Sequence, residues 1–137
     1  MKLNSASFAK LKGVHPDLVR VVLRCAEDWA EADTGFVVTC GVRTLEEQKI
    51  LKAKGASKTL RSRHIPAAND LSHAVDLACT IKGQVRWDWP LYDSLAKRMK
   101  AAAKAENVLI EAGADWPKFR DGPHFQLPWA QYPGTKK

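Results

Sequence analysis

His73-Ala74-Val75-Asp76-Leu77-Ala78-Cys79-Thr80 reads as a β-strand over residues 74–80 that carries an acid opposite its apolar side. Successive side chains of a strand point to opposite faces, so Val75, Leu77 and Cys79 line one face and Asp76 projects from the other. Residues 36–42 read as a second strand, with Phe36, Val38, Cys40 and Val42 on one face and Val37 and Thr39 on the other. Residues 108–111 suggest another strand. Residues 124–127 suggest a last short one, with Phe125 and Leu127 turned inward and His124 and Gln126 outward.

Helices fill the intervals. Residues 16–32 open on Pro16 in the first turn and carry Leu18, Val21, Val22, Cys25 and Trp29 at helical spacing. Asp33-Thr34-Gly35 ends that helix, with the glycine expected in the left-handed position. Thr44 and Glu47 form a capping box for a helix over residues 44–54, stopped before Gly55. A third helix over residues 89–106 has Leu91, Leu95, Met99 and Ala102 as its stripe. Lys82-Gly83 and Gly113-Ala114-Asp115-Trp116-Pro117 are turns, residues 56–72 form a long loop, and the tail from Pro128 wraps up the chain. The order predicts an α+β fold, with a small antiparallel sheet flanked by about three helices.

A chain of 137 residues fits one domain, 1–137, with a core of its own. No apolar run is long enough to span a bilayer, and Met1-Lys2-Leu3-Asn4-Ser5 lacks the hydrophobic stretch of a secretory signal. Synthesis in the cytoplasm is therefore expected. Cys25, Cys40 and Cys79 are odd in number and contain no CxxC pair, which argues against a disulfide framework or a thiolate metal site. Each reads as a small buried hydrophobe. The net charge of +7 favours polyanionic partners, but the basic residues are scattered and accompany no nucleic-acid-binding signature, so no specific nucleic acid is expected.

Four residues could serve one metal ion. His64, Asp76 and His124 make a two-imidazole, one-carboxylate zinc set with a position left open for solvent. Asp121, three residues before His124, is placed to take a proton. Asp76 and His124 both project from the open face of the sheet, and His64 comes from the loop before the Asp76 strand. His73 competes with His64. Strand alternation turns His73 toward the side of Val75 and Leu77, which favours His64. His15, just before Pro16, reads as a residue introducing a helix. Arg43, just past a strand, can grip a carboxylate in a two-pronged fork or serve simply as a surface residue.

These residues resemble the zinc D-Ala-D-Ala carboxypeptidase and L-Ala-D-Glu endopeptidase family of peptidoglycan peptidases, in its single-domain phage endolysin branch. The resemblance runs over residues 41–127. It rests on Gly41-Val42-Arg43-Thr44 with Gln48, on Ser62-Arg63-His64, on His73-Ala74-Val75-Asp76-Leu77, on Gly113-Ala114-Asp115-Trp116, and on Asp121-Gly122-Pro123-His124. It implies zinc ligands at His64, Asp76 and His124, and a catalytic acid/base at Asp121. It also implies a substrate-positioning role for Arg43. Asp115 and Trp116 are candidates to line the cleft, Trp116 being equally readable as core and Asp115 as a residue that orients a ligand histidine, and Ser62 is a candidate to hydrogen-bond substrate or a ligand residue. Two departures stand out: the spacing from His64 to Asp76 is longer than in the shortest relatives, and the base is Asp where many relatives carry Glu.

The implied activity is hydrolysis of the peptidoglycan stem peptide between L-Ala and D-Glu by a monomeric endolysin. The enzyme would reach the wall after a holin-type partner opens the membrane. The alternatives are a D-Ala-D-Ala carboxypeptidase using the same metal site, and a non-catalytic basic module that binds wall polymer or nucleic acid.

Overall fold

The computed structural model describes residues 1–55 and 62–133; the first part of the long loop, residues 56–61, lies outside them, as do the last four residues of the tail. The centre of the fold is β2 (Ala74–Ile81), a strand with neighbours on both edges. Along one edge runs β1 (Thr34–Cys40), and along the other β5 (His124–Gln126), which is paired in turn with β4 (Glu111–Ala112). The two-residue β3 (Gln84–Val85) folds back on the end of β2. Every pairing between these strands is antiparallel. Four α-helices accompany this sheet among the described residues: α1 (Ser5–Leu11), α2 (Pro16–Glu27), α3 (Leu45–Ala53) and α4 (Trp89–Ala105). The architecture is α+β, with one helix more than the sequence pattern indicated.

Alternation along β2 sorts the molecule into two sides. Val75, Leu77 and Cys79 are buried in one hydrophobic core with Phe36, Val38 and Phe125 from the adjoining strands. α2 and α4 supply Leu18, Val21, Val22, Leu95 and Met99 to the same core, each with no exposed surface. Full burial of each such side chain stabilises the fold by about 1.5–3 kcal/mol before the entropy of ordering is set against it. The opposite face of the sheet carries Asp76.

Several boundaries differ from the sequence reading, for local reasons. α2 stops at Glu27, well short of residue 32. Trp29 still reaches the core from the connecting segment, where its indole N–H donates to Thr34 Oγ1 at 3.1 Å. The left-handed residue there is Asp33 (φ 66°), while Gly35 lies inside β1 opposite Thr80. Consequently β1 starts and ends two residues earlier than expected, and Val42 is exposed. β4 occupies Glu111–Ala112; residues 108–110 precede the sheet. α1 was not anticipated. Asn4 caps it by accepting from the Ser7 N–H at 2.8 Å, and the buried Ser7 hydroxyl accepts the N–H of Val38 at 2.9 Å. α1 thus covers the outer edge of β1, which would otherwise present unpaired backbone.

One irregularity matters for the site. In the β1–β2 register Val38 lies opposite Leu77, but Cys40 lies opposite Asp76. Two steps on β1 answer one on β2, a bulge at Thr39 that reverses the alternation beyond it. Cys40 therefore leaves the core side and joins Asp76 on the open face.

Candidate metal centre

Three strands and one loop deliver the site. Asp76 of β2 and His124 of β5 are directly opposite in the register, so their side chains share a face, and Nδ1 of His124 lies 3.2 Å from Oδ1 of Asp76. His64 arrives from the loop before β2, its Nε2 also 3.2 Å from Oδ1 of Asp76. The two imidazoles meet edge to face with centroids 5.2 Å apart. Ligand atoms about 3.3 Å apart are what metal–ligand bonds of roughly 2.0–2.1 Å at tetrahedral angles require, and both histidine–aspartate separations match this. The histidines are joined through Asp76. Cys40, His64 and Asp76 form one group whose ligand atoms lie within 4.8 Å of one another, and Asp76, Asp121 and His124 form another.

The hydrogen bonds indicate which nitrogens are bare. Nδ1 of His64 lies 2.7 Å from the Gly41 carbonyl, which can only accept, so that nitrogen carries the proton and Nε2 offers a lone pair. This Nε2 is buried and has no aligned hydrogen-bond partner among the described residues, despite its closeness to Asp76. An orphaned, buried lone pair beside a carboxylate oxygen suits a cation. His124 is arranged in mirror fashion: Nε2 lies 2.8 Å from Oε1 of Gln126, which leaves Nδ1 facing Asp76. Two imidazole nitrogens and one carboxylate oxygen are a donor set for a divalent metal of the zinc type.

The electrostatics point the same way. Burial opposes ionisation of Asp76, but hydrogen bonds and charge from His124 and His64 outweigh it and hold its pKa well below the usual carboxylate range. Burial would pull the His64 pKa down, yet contact with Asp76 and then Cys40 raises it to about 10, so near neutral pH the Nε2 lone pair is taken by a proton unless another cation occupies that place. The pocket favours positive charge between these groups. Asp121 moves in the opposite direction: desolvation, then the Asp76 charge, raises its pKa, although the residue is exposed at the rim.

The other expected residues divide. Arg43 borders the site. Its Nη2 lies 3.6 Å from Oδ2 of Asp76, and its Nη1 donates to the buried Gln48 at 2.9 Å. Thr44 and Glu47 form the anticipated reciprocal cap that fixes the start of α3 beside it. Trp116 stands against His124, with ring centroids 5.2 Å apart. Ser62 sits one step back, its hydroxyl accepting the His64 backbone N–H at 3.2 Å. Asp115 turns away and pairs with Lys100 on the surface; the side chain that partners the ring of His124 is Gln126. His73 lies on the far side, its ring 5.3 Å from His15, and belongs to neither ligand group. His15 caps α2 by accepting from the Asp17 N–H.

Cys40 and Gln126 emerge only from the structure. Cys25 and Cys79 are buried as expected, and burial raises their thiol pKa values to about 12 and about 11. Cys40 is half-buried, with Sγ 3.7 Å from Nδ1 of His64 and 3.5 Å from the Arg43 guanidinium. The histidine nitrogen it approaches already donates to Gly41, so the thiol is the weaker candidate ligand. Gln126 faces away from the core as expected but is buried, held between His124 and Glu111.

Known proteins share this arrangement of sequence and fold. A family model described as phage L-alanyl-D-glutamate peptidase matches residues 1–127. The L-alanyl-D-glutamate peptidase of Listeria phage A118 is 33% identical over 117 residues, which make up 85% of this chain and 39% of that protein. The chain therefore spans well under half the length of that relative. The crystal structure of the L-Ala D-Glu endopeptidase ChiX of Serratia marcescens superposes with a TM-score of 0.82 at 36% identity, covering 98% of this chain and 95% of that one.

Proposed function

The chain belongs to the phage L-alanyl-D-glutamate peptidase family, and we propose on that premise that it is a zinc-dependent peptidoglycan hydrolase that cuts the stem peptide between L-Ala and D-Glu. The observation that carries this reading is the pair of bare imidazole nitrogens set 3.2 Å from one Asp76 oxygen, with Asp121 beside them.

His64, Asp76 and His124 would hold the ion. When bound, zinc supplies Lewis acidity, polarising the amide carbonyl and making water acidic near neutral pH. The protein's own groups carry the proton. Asp121 accepts it at a carboxylate oxygen as water attacks and returns it to the leaving amine nitrogen, and its raised pKa suits that exchange. Arg43, held by Gln48 and Asp76, presents guanidinium N–H groups to a carboxylate of the stem peptide. Trp116 walls one side of His124 and restricts bulk water there. A holin-type partner would give the protein, acting as a monomer, access to the wall.

Metal analysis together with mass spectrometry of digested muropeptides tests the reading. About one zinc per chain is expected, and fragments cut between L-Ala and D-Glu should vanish with a chelator. Release of D-Ala alone would overturn the bond assignment. Binding to sacculi without hydrolysis would overturn the enzymatic one.

A further inference from the structure

The register that sets Asp76 opposite His124 also sets Glu111 opposite Gln126, two residues along the same face of β5. The result is a continuous line of polar groups across three strands. Oδ1 of Asp76 lies 3.2 Å from Nδ1 of His124, Nε2 of His124 lies 2.8 Å from Oε1 of Gln126, and Nε2 of Gln126 donates to Oε2 of Glu111 at 3.1 Å. We propose that Gln126, oriented by Glu111, is a positioning residue that keeps the His124 proton on Nε2 and so leaves Nδ1 bare toward Asp76. The inference rests on the metal reading above.

The physical need is specific. A neutral imidazole has one N–H, and the Asp76 carboxylate beside Nδ1 is a strong acceptor that would draw the proton to that nitrogen. A proton there would occupy the lone pair required for a metal. The counterweight must be an acceptor at Nε2. An amide side chain can offer either end: its oxygen accepts, but its NH2 would donate to Nε2 and drive the proton onto Nδ1. Glu111 decides between the two orientations. Its carboxylate has no proton to give, so it takes the NH2 end of Gln126 and leaves Oε1 for His124. Gln126 is 6% exposed, so water does not readily replace either contact. Groups of this kind behind a ligand histidine typically change metal affinity about 10–100-fold when removed.

Two measurements on the whole chain test this. Nitrogen NMR of labelled imidazoles, on metal-free protein at a pH where the His124 ring is neutral, reads which nitrogen bears the proton. Competition against a chromogenic chelator reads zinc affinity. The parent should show the proton on Nε2. Gln126→Leu should move it toward Nδ1 and weaken zinc about 10–100-fold. Gln126→Glu, which retains an acceptor, should restore the Nε2 proton. Glu111→Gln lies at the half-buried end of the line and carries the test if the leucine variant does not fold; it should give mixed tautomers and weaker zinc binding. Parent-like proton placement and zinc affinity in Gln126→Leu, or in Glu111→Gln where the leucine variant does not fold, would overturn the inference. A parent chain that bound no zinc would overturn the metal reading, while the proton position, read without metal, would still decide the role of Gln126.

Discussion

A carboxylate that takes up a proton and gives it back works best when its pKa approaches the working pH, and partial desolvation together with the charge of Asp76 moves Asp121 in that direction. Asp121→Asn should keep zinc and the folded state while hydrolysis falls about 10²–10⁴-fold. Stoichiometric zinc with undiminished muropeptide release would refute the assignment of the base. His73 offers a separate reading of pH. Burial, then the charges of Arg63 and His15, lowers its pKa from 6.5 to about 4. Between those values the unfolded chain binds more protons than the folded one, so stability is lost as pH falls through that window. In chelator, the urea midpoint should drop over this range, and His73→Leu should flatten the drop; an equal slope in both proteins would contradict it. The orientation of Asp76 was legible because Val75 and Leu77 on either side of it are apolar. The place of Cys40 was not, because one extra residue at Thr39 reverses its face without changing the composition of the strand.

Short elements hold the site to tolerances that particular backbone contacts reveal. A Cβ built on Gly41 would lie 2.1 Å from the Lys10 carbonyl oxygen, and the same Gly41 supplies the carbonyl that receives His64. Gly41→Ala should destabilise the fold by about 1–3 kcal/mol or more, as overpacking does, and weaken zinc as well. A urea midpoint equal to that of the parent would rule out this close approach. Gly113 is similarly pressed, its added Cβ meeting the Asp121 carbonyl oxygen at 2.3 Å, so the turn before β5 fixes where Asp121 stands. Thr44→Ala should cost about 1 kcal/mol by opening the cap of α3. Start signals of this chemical kind can be read from sequence, as Thr44 with Glu47 and Pro16 illustrate. Short pieces are harder. α1 has seven residues and depends on Asn4 and on packing against β1, and β4 has two and exists because β5 is there to pair with it.

For the whole molecule, a ligand that binds only the folded chain raises its stability. Free zinc at 100 times its dissociation constant should add about 2.7 kcal/mol, so chelation should lower Tm, and His124→Ala should abolish that difference. The net charge of +7 favours an anionic envelope, and raising salt should weaken association with sacculi more than it slows cleavage of a small soluble stem peptide. The broad division into core side and open side could be derived from alternating residues. The closure of the chain could not: Arg63 is buried and donates to the carbonyls of Leu127 and Tyr132, tying the end of the chain to the His64 loop. The offset at Thr39 has a last consequence. Along β1 the vulnerable quantity is length. Excising that single position would leave Cys40 next to Val38 and still opposite Asp76, so the faces downstream would keep their order, whereas adding one residue there would exchange inside for outside and carry Arg43 away from the cleft; an insertion should therefore be far more damaging than a deletion.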